Sequence, residues 1–176
     1  MSKKITSLFN FKKLQKFSSA LMLPIAILPA AGLILAIGIS FNIELLANCG
    51  GLIFANLPLL FCVGIVIGLT GDGSSSLSAI ISYMIMNATM GTQLGITAES
   101  VAASNGDYAM ILGVPTLQTG VFGGLIVAIF VYLLYTRFHN IELPQFLGFF
   151  GGKRFVPIIT AVAAIIVGYL LPWLWI

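Results

Sequence analysis

Charged residues interrupt this chain so rarely that its polar and apolar pattern reads as a set of long uncharged runs. They extend from Phe17 to Ile43, Leu45 to Gly71, Gly73 to Ala98, Tyr108 to Thr136 and Phe155 to Ile176. An α-helix needs about 20 residues to cross some 30 Å of hydrocarbon, and each run exceeds that. The pattern predicts an all-α integral membrane protein of about five transmembrane helices, with spans near 18–40, 50–70, 75–92, 116–136 and 155–175. The third run is the weakest, because Ser74, Ser75, Ser76, Ser78, Ser82 and Asn87 dilute it. Before the first span, Phe11, Leu14, Ser18 and Leu21 recur at helical spacing while Lys12, Lys13 and Lys16 project from the other side. Residues 1–17 therefore read as a cytoplasmic, basic, amphipathic lead that lies on the membrane surface, with 18–176 as the membrane domain. The apolar stretch that follows is too long for a cleavable signal peptide, so it is an anchor.

Composition agrees: 59% of the residues are hydrophobic and 7% charged, and the mean hydropathy is +1.10. In a soluble protein the net charge of +3 would suggest nucleic acid as a partner. Here the distribution matters more. With the N-terminus inside, five crossings place Lys3, Lys4, Lys12, Lys13, Lys16, Arg137, Lys153 and Arg154 on the cytoplasmic side. That is the complete set of eight basic residues, while the opposite loops hold Glu44, Glu99 and Asp107. This is the asymmetry of the positive-inside rule, so the partner is a lipid bilayer and not nucleic acid. Cys49 and Cys62 lie in or beside one span without a Cys-x-x-Cys partner and read as packing residues; no metal site, cofactor or catalytic residue is indicated.

Local signals refine the picture. Pro24 and Pro29 inside "ALMLPIAILPAAG" predict a bent first span packed against protein, because each interior proline frees a carbonyl. "GIVIG" (64–68) and "GVFGG" (120–124) have the spacing that lets helix backbones approach closely, within the chain first and between copies second. "TGDGSSSLS" reads as a tight turn and helix N-cap in preference to a phosphate cradle, since it lacks a lysine and the Walker spacing. Gly91 to Val114 reads as an outside loop. "NAT" at Asn87 fits a glycosylation pattern, but a site inside a span is not accessible to it. Asn56, Asn87, Thr89, Gln118 and Thr119 are the polar residues of the spans. Asn87, Gln118 and Thr119 are candidates for touching a substrate, with hydrogen bonding between helices as the plainer account.

"NIELPQFLGFFGGKRFVPI" (140–158) concentrates charge, glycine and proline between the fourth and fifth spans, where Lys153 and Arg154 need not enter lipid. His139 beside it reads as a headgroup-level residue ahead of a pH switch. The stretch resembles a signature of the membrane component, enzyme IIC, of the bacterial phosphoenolpyruvate-dependent sugar phosphotransferase system, in its glucose, N-acetylglucosamine and maltose superfamily. "ALMLPIAILPAAG" (20–32), "NLPLLFCVGIVIGL" (56–69) and "GVPTLQTGVFGG" (113–124) fit the same family in the same order, and the last is most similar to glucose-type members. The signature falls on Glu142, Pro144, Gly148, Lys153, Arg154 and Pro157.

The resemblance implies a multi-pass permease of the bacterial cell membrane that presents sugar to phosphorylated enzyme IIB and IIA domains. It also implies a first half that acts as scaffold and homodimer interface, and a second half, with a Gly-Ile-Thr-Glu-Pro motif, that supplies most of the sugar site. "GITAES" (95–100) lacks the Glu-Pro order, so no sugar role passes to Glu99. On this reading the chain is a truncated or N-terminal half that is not transport-competent alone. The alternative is a stand-alone five-helix scaffold that pairs with a separately encoded partner. A small channel is disfavoured because the spans carry no ionisable residue to line a pore.

Overall fold

The computed structural model describes residues 11–175. Helix α1 (Phe11–Ala26) and α2 (Leu28–Ser40) are followed by α3 (Glu44–Ala55), α4 (Leu57–Thr70) and α5 (Gly73–Gln93). After a short helix α6 (Ala98–Ala103), strands β1 (Tyr108–Ile111) and β2 (Val114–Leu117) form an antiparallel hairpin. Helix α7 (Gly120–Phe138), two 3-10 turns at Gln145–Phe150 and Gly152–Arg154, and α8 (Val156–Trp175) complete the described fold.

Three described segments are long and apolar enough to cross a membrane: Leu14–Ser40, Gly120–Phe138 and Gly152–Trp175. Glu44–Ala55 and Leu57–Thr70 together meet the same test but bend by 58°. The span expected near 50–70 thus falls on a bent helix pair that begins at Glu44. The helix stops at Asn56, whose side-chain amide donates to the Leu52 carbonyl, and Pro58 opens the next helix, where its missing N–H costs nothing. The first span likewise divides at Ile27, with Pro29 in the first turn of α2. Pro24 stays inside α1, buried, its ring against Gly64 of α4.

Helix α5 is long enough to span but is too diluted by serine to qualify on apolarity, as its sequence foreshadowed. Its position compensates. It runs parallel to α8 for most of its length: Asp72 sits by Lys153, Met86 and Thr89 by Gly168, and Gln93 by Pro172. Several hydroxyls and one amide donate within the helix, while the Ser74 and Ser82 hydroxyls, Asn87 Oδ1 and Gln93 Oε1 are buried without a partner among the described residues. Ser78 donates to the Ser74 carbonyl, Asn87 to that of Tyr83, Thr89 to that of Ile85 and Thr92 to that of Ala88, all at 2.8 Å. This lets a polar helix become the centre of the bundle. The core gathers Cys62, Ile65, Val66 and Leu69 from α4, Ala79, Tyr83, Met86 and Met90 from α5, and Val127, Ala128 and Val131 from α7.

Close contacts at small residues fix the packing. Gly64 and Gly68 of "GIVIG" meet Pro24 and Ala20 of α1, and Gly124 of "GVFGG" meets the Pro58 carbonyl of α4. Both motifs therefore pack within the chain, and α1 runs antiparallel to α4. Helices α2 and α3 form a hairpin that packs mainly on itself through Gly38 against Ala47 and Gly50 against Leu35. The loop expected over 91–114 contains more order than its composition suggested. Thr97 caps α6 by accepting from the Ser100 amide at 3.2 Å. Leu112 (φ 51°) and Gly113 (φ 81°) make the two-residue turn of the β-hairpin, a left-handed pair that matches the strand twist.

Candidate functional site

The two ends of the bundle differ in charge. Because α1 is antiparallel to α4, Lys12 and Lys16 lie toward the end that holds Asp72, Arg137, Lys153 and Arg154, whereas Glu44 and Glu99, at the starts of α3 and α6, and Asp107, before β1, belong to the other end. At the cationic end two connections and helix α7 meet on one carboxylate. Lys153 Nζ lies 2.8 Å from Asp72 Oδ2, and the Tyr135 hydroxyl donates to that same oxygen at 2.7 Å. The other oxygen, Oδ1, accepts from the Ser74 amide at 3.0 Å and so caps α5. Gly71, at φ 69°, supplies the left-handed step that turns α4 into this cap. The Lys153 ammonium, then the Tyr135 hydroxyl, hold the Asp72 carboxyl well below the usual carboxylate range, against the opposing effect of partial burial.

His139 stacks on Tyr135 with ring centroids 5.0 Å apart and donates from Nδ1 to the Tyr135 carbonyl at 2.9 Å. Its ring thus closes the end of α7 and supports the tyrosine. The signature loop folds back on itself: the Gly152 amide donates to the Ile141 carbonyl at 2.9 Å, and Arg154 lies 4.7 Å from the Phe149 ring centroid. Pro144 opens the first 3-10 turn, accepting from Leu147 at 2.8 Å, and the Gly148 carbonyl accepts from Gly151. Pro157 occupies the first turn of α8. Glu142 is exposed and makes no ion pair among the described residues. Of the six signature positions, only Lys153 reaches the Asp72 cluster.

The three substrate candidates do not converge on one cavity. Asn87 is buried on α5, where its Oδ1 has no partner among the described residues. Thr119 is buried at the start of α7 with its hydroxyl also unpartnered, as is that of Thr116 on β2. Gly91, one turn above Asn87, packs on the backbone of Pro115 and Thr116, so these atoms share the α5–β2–α7 junction. Gln118 instead is exposed and lines a cleft at the anionic end. Asn56 and Thr89 serve their own helices. Among the described residues no group of His, Cys, Asp and Glu could hold a metal ion.

Sequence reasoning identified the Asp72 cap but missed its union with Tyr135 and Lys153. The signal was present: an isolated aspartate in one connection and a lysine in another, on the same face of the expected five-crossing topology.

Residues 18–176 match the family described as "Phosphotransferase system, EIIC". The chain belongs to that family. A glucose-specific EIICBA component of the phosphotransferase system from Staphylococcus saprophyticus is 44% identical over 185 aligned positions, covering 94% of this chain and 27% of the relative. The chain thus spans about a quarter of that relative's length. EIIC membership makes the apolar helices those of an integral membrane component.

Proposed function

We propose that the chain forms the scaffold and dimer-interface part of a glucose-type permease in the bacterial cell membrane, with its N-terminus cytoplasmic, and that transport requires further EIIC sequence. The observation that carries this reading is the 44% identity to a glucose-specific EIICBA component over almost the whole chain. The relative's name joins B and A components to C, which supports EIIB and EIIA as partners. The concentration of cations at one end of the bundle supports a cytoplasmic N-terminus by the positive-inside rule. Residues 1–10 of the basic lead lie outside the described residues; the helix that continues it, α1, begins at Phe11.

A scaffold role is supported by the bundle's own packing. Four polar side chains of α5, those of Ser78, Asn87, Thr89 and Thr92, donate to its own carbonyls, and the helix packs into an apolar core with α4 and α7. Dimerisation is assigned to the α2–α3 hairpin, which stands apart from that core and exposes Leu33, Ile39, Leu45 and Leu52.

Two experiments test the reading. Membranes containing only this chain should show no phosphoenolpyruvate-dependent glucose phosphorylation, and co-expression with the remainder of a matching EIICBA protein should restore it; activity from the chain alone would refute the scaffold role. An impermeant thiol reagent applied outside should label a cysteine placed at Asp107 and spare one placed at Arg154. The reverse pattern would invert the orientation.

A further inference from the structure

Between α7 and α8, the 3-10 turn Gln145–Phe150 holds Phe146, Leu147, Phe149 and Phe150 on its surface, with Phe146 83% and Phe149 71% exposed. Large apolar side chains left open together on one short turn mark a contact with protein or membrane. The backbone beside them is engaged inside the loop, where the amides of Leu147, Gly151 and Gly152 donate to the carbonyls of Pro144, Gly148 and Ile141. The face therefore presents rings and side-chain charge, not a strand edge.

Two arginines frame this patch. The rings of Phe138 and Phe155 pack with centroids 6.0 Å apart, which brings the end of α7 to the start of α8. The residue before each ring is an exposed arginine, Arg137 and Arg154. Arg154 lies over the Phe149 ring and donates from Nη1 to the Phe149 carbonyl at 3.4 Å. Among the described residues this is its one hydrogen bond, so the rest of the guanidinium fork is open to an outside acceptor. Lys153 and Asp72 neutralise each other, which leaves the two arginines against Glu142 as the open charges of the loop. Helices α7 and α8 are each long and apolar enough to cross a membrane, so the turn between them sits where hydrocarbon gives way to headgroups.

We propose that this face binds anionic phospholipid, with Phe146 and Phe149 entering the boundary between headgroups and acyl chains while Arg137 and Arg154 hold lipid phosphates. A guanidinium matches two oxygens of one phosphate. Phosphatidylcholine carries a phosphate too, but its choline cancels the charge. A lipid of net negative charge, such as phosphatidylglycerol, gains about fivefold in binding for each arginine near the surface. A soluble acidic protein would also pair with the arginines, yet the rings beside them are held by two membrane helices at a depth that lipid already occupies. The inference rests on α7 and α8 crossing the membrane and not on the glucose-permease reading, so either can fail without the other.

The test reconstitutes the full chain in nanodiscs of phosphatidylcholine and phosphatidylglycerol in equal amounts. Trp173→Phe and Trp175→Phe remove the native indoles, and Phe146→Trp then reports on the turn. Its emission should be blue-shifted and should be quenched by lipids brominated high on the acyl chain, more strongly when the brominated lipid is the phosphatidylglycerol. Separately, native mass spectra of the chain with its own tryptophans, released from the same nanodiscs, should show phosphatidylglycerol retained in preference to phosphatidylcholine. Arg137→Gln and Arg154→Gln should each lower that preference by about fivefold.

Equal retention of the two lipids by the parent would overturn the proposal, as would a preference that survives both arginine substitutions together. Emission typical of water, unquenched by either lipid, would overturn it as well and assign the patch to a soluble partner. Should the tryptophan variant not fold, the retention measurement decides alone.

Discussion

Helix α5 and the α2–α3 hairpin invert the rule learned from soluble proteins. The hairpin is almost wholly apolar, yet α2 buries Ala31 and Gly38 and α3 buries Gly50, while Leu33, Ile37, Ile39, Leu45 and Leu52 face outward. Helix α5 carries serines, threonine and asparagine, yet buries Ser75, Ser78, Ser82, Tyr83, Met86, Asn87, Met90 and Gly91. The reason is the solvent. Lipid tails are as apolar as leucine, so burying a leucine from lipid gains little, whereas a polar atom facing lipid is costly unless protein encloses it. In this chain polarity, not apolarity, marks the helix at the centre, and small residues mark where backbones touch.

Breaking that contrast should show first at the glycines. A side chain at Gly91 would enter the carbonyl oxygen of Pro115, so Gly91→Leu should abolish the monodisperse folded species in detergent chromatography. Gly51 has open space around it, and Gly51→Leu should elute and melt as the parent does.

Next in size is side-chain truncation. Met86→Ala, in the core, should lower stability by about 2–5 kcal/mol. Leu52→Ala on the exposed face of the hairpin should change it by less than about 0.5 kcal/mol, read from thermal or denaturant unfolding in the same detergent. Equal losses would mean that the hairpin is packed against something in the folded protein.

The Asp72 cluster should give a smaller, pH-dependent effect. Asp72→Ala removes the α5 cap, worth about 0.5–2 kcal/mol, together with the partner of Lys153 and Tyr135. Asp72→Asn retains capping and should cost less. Because the folded carboxyl is held below its ordinary value of 3.8, its contribution is fully present above that pH and is lost as pH falls toward the folded value. The parent should therefore exceed Asp72→Asn by a constant margin from pH 5 to 8, and the margin should shrink below about pH 4. A margin that grows on acidification would show that the ion pair is absent.

The mildest probe sharpens the contrast without perturbing it. In detergent, Cys49 on the exposed side of the hairpin should react with a maleimide, while Cys62, buried against the Ala79 carbonyl, should react only after unfolding. If copies associate through the hairpin in membranes, a short thiol cross-linker should join Cys49 to Cys49, and Cys49→Ser should abolish the product.

Much of this was legible in residue order. Uncharged runs gave the helices, Pro24 and Pro29 the break in the first span, and "TGDG" the turn and α5 cap, because these depend on local chemistry. The 58° bend at Asn56 was not legible, since an asparagine within an apolar run has no single conformational preference. Nor was the β-hairpin, whose Leu112-Gly113 turn is a weaker signal than Asn-Gly. Among the site candidates, Asn87 and Thr119 proved buried but Gln118 lay elsewhere, because residue type says that a polar atom needs a partner and not where that partner comes from.

What the sequence by itself determined is therefore the membrane character, the segregation of charge between two faces, and the family. Each follows from one-dimensional quantities: run length, sign of charge and motif order. Only the tertiary structure decided that the most polar helix is the central one, that Asp72, Tyr135 and Lys153 share one carboxylate, and that Asp107, Gln118 and Trp175 line one cleft. Asp72 lies far along the chain from Tyr135 and Lys153, as Trp175 does from Asp107 and Gln118, and only the packing of helices brought close by glycine and proline contacts places them side by side.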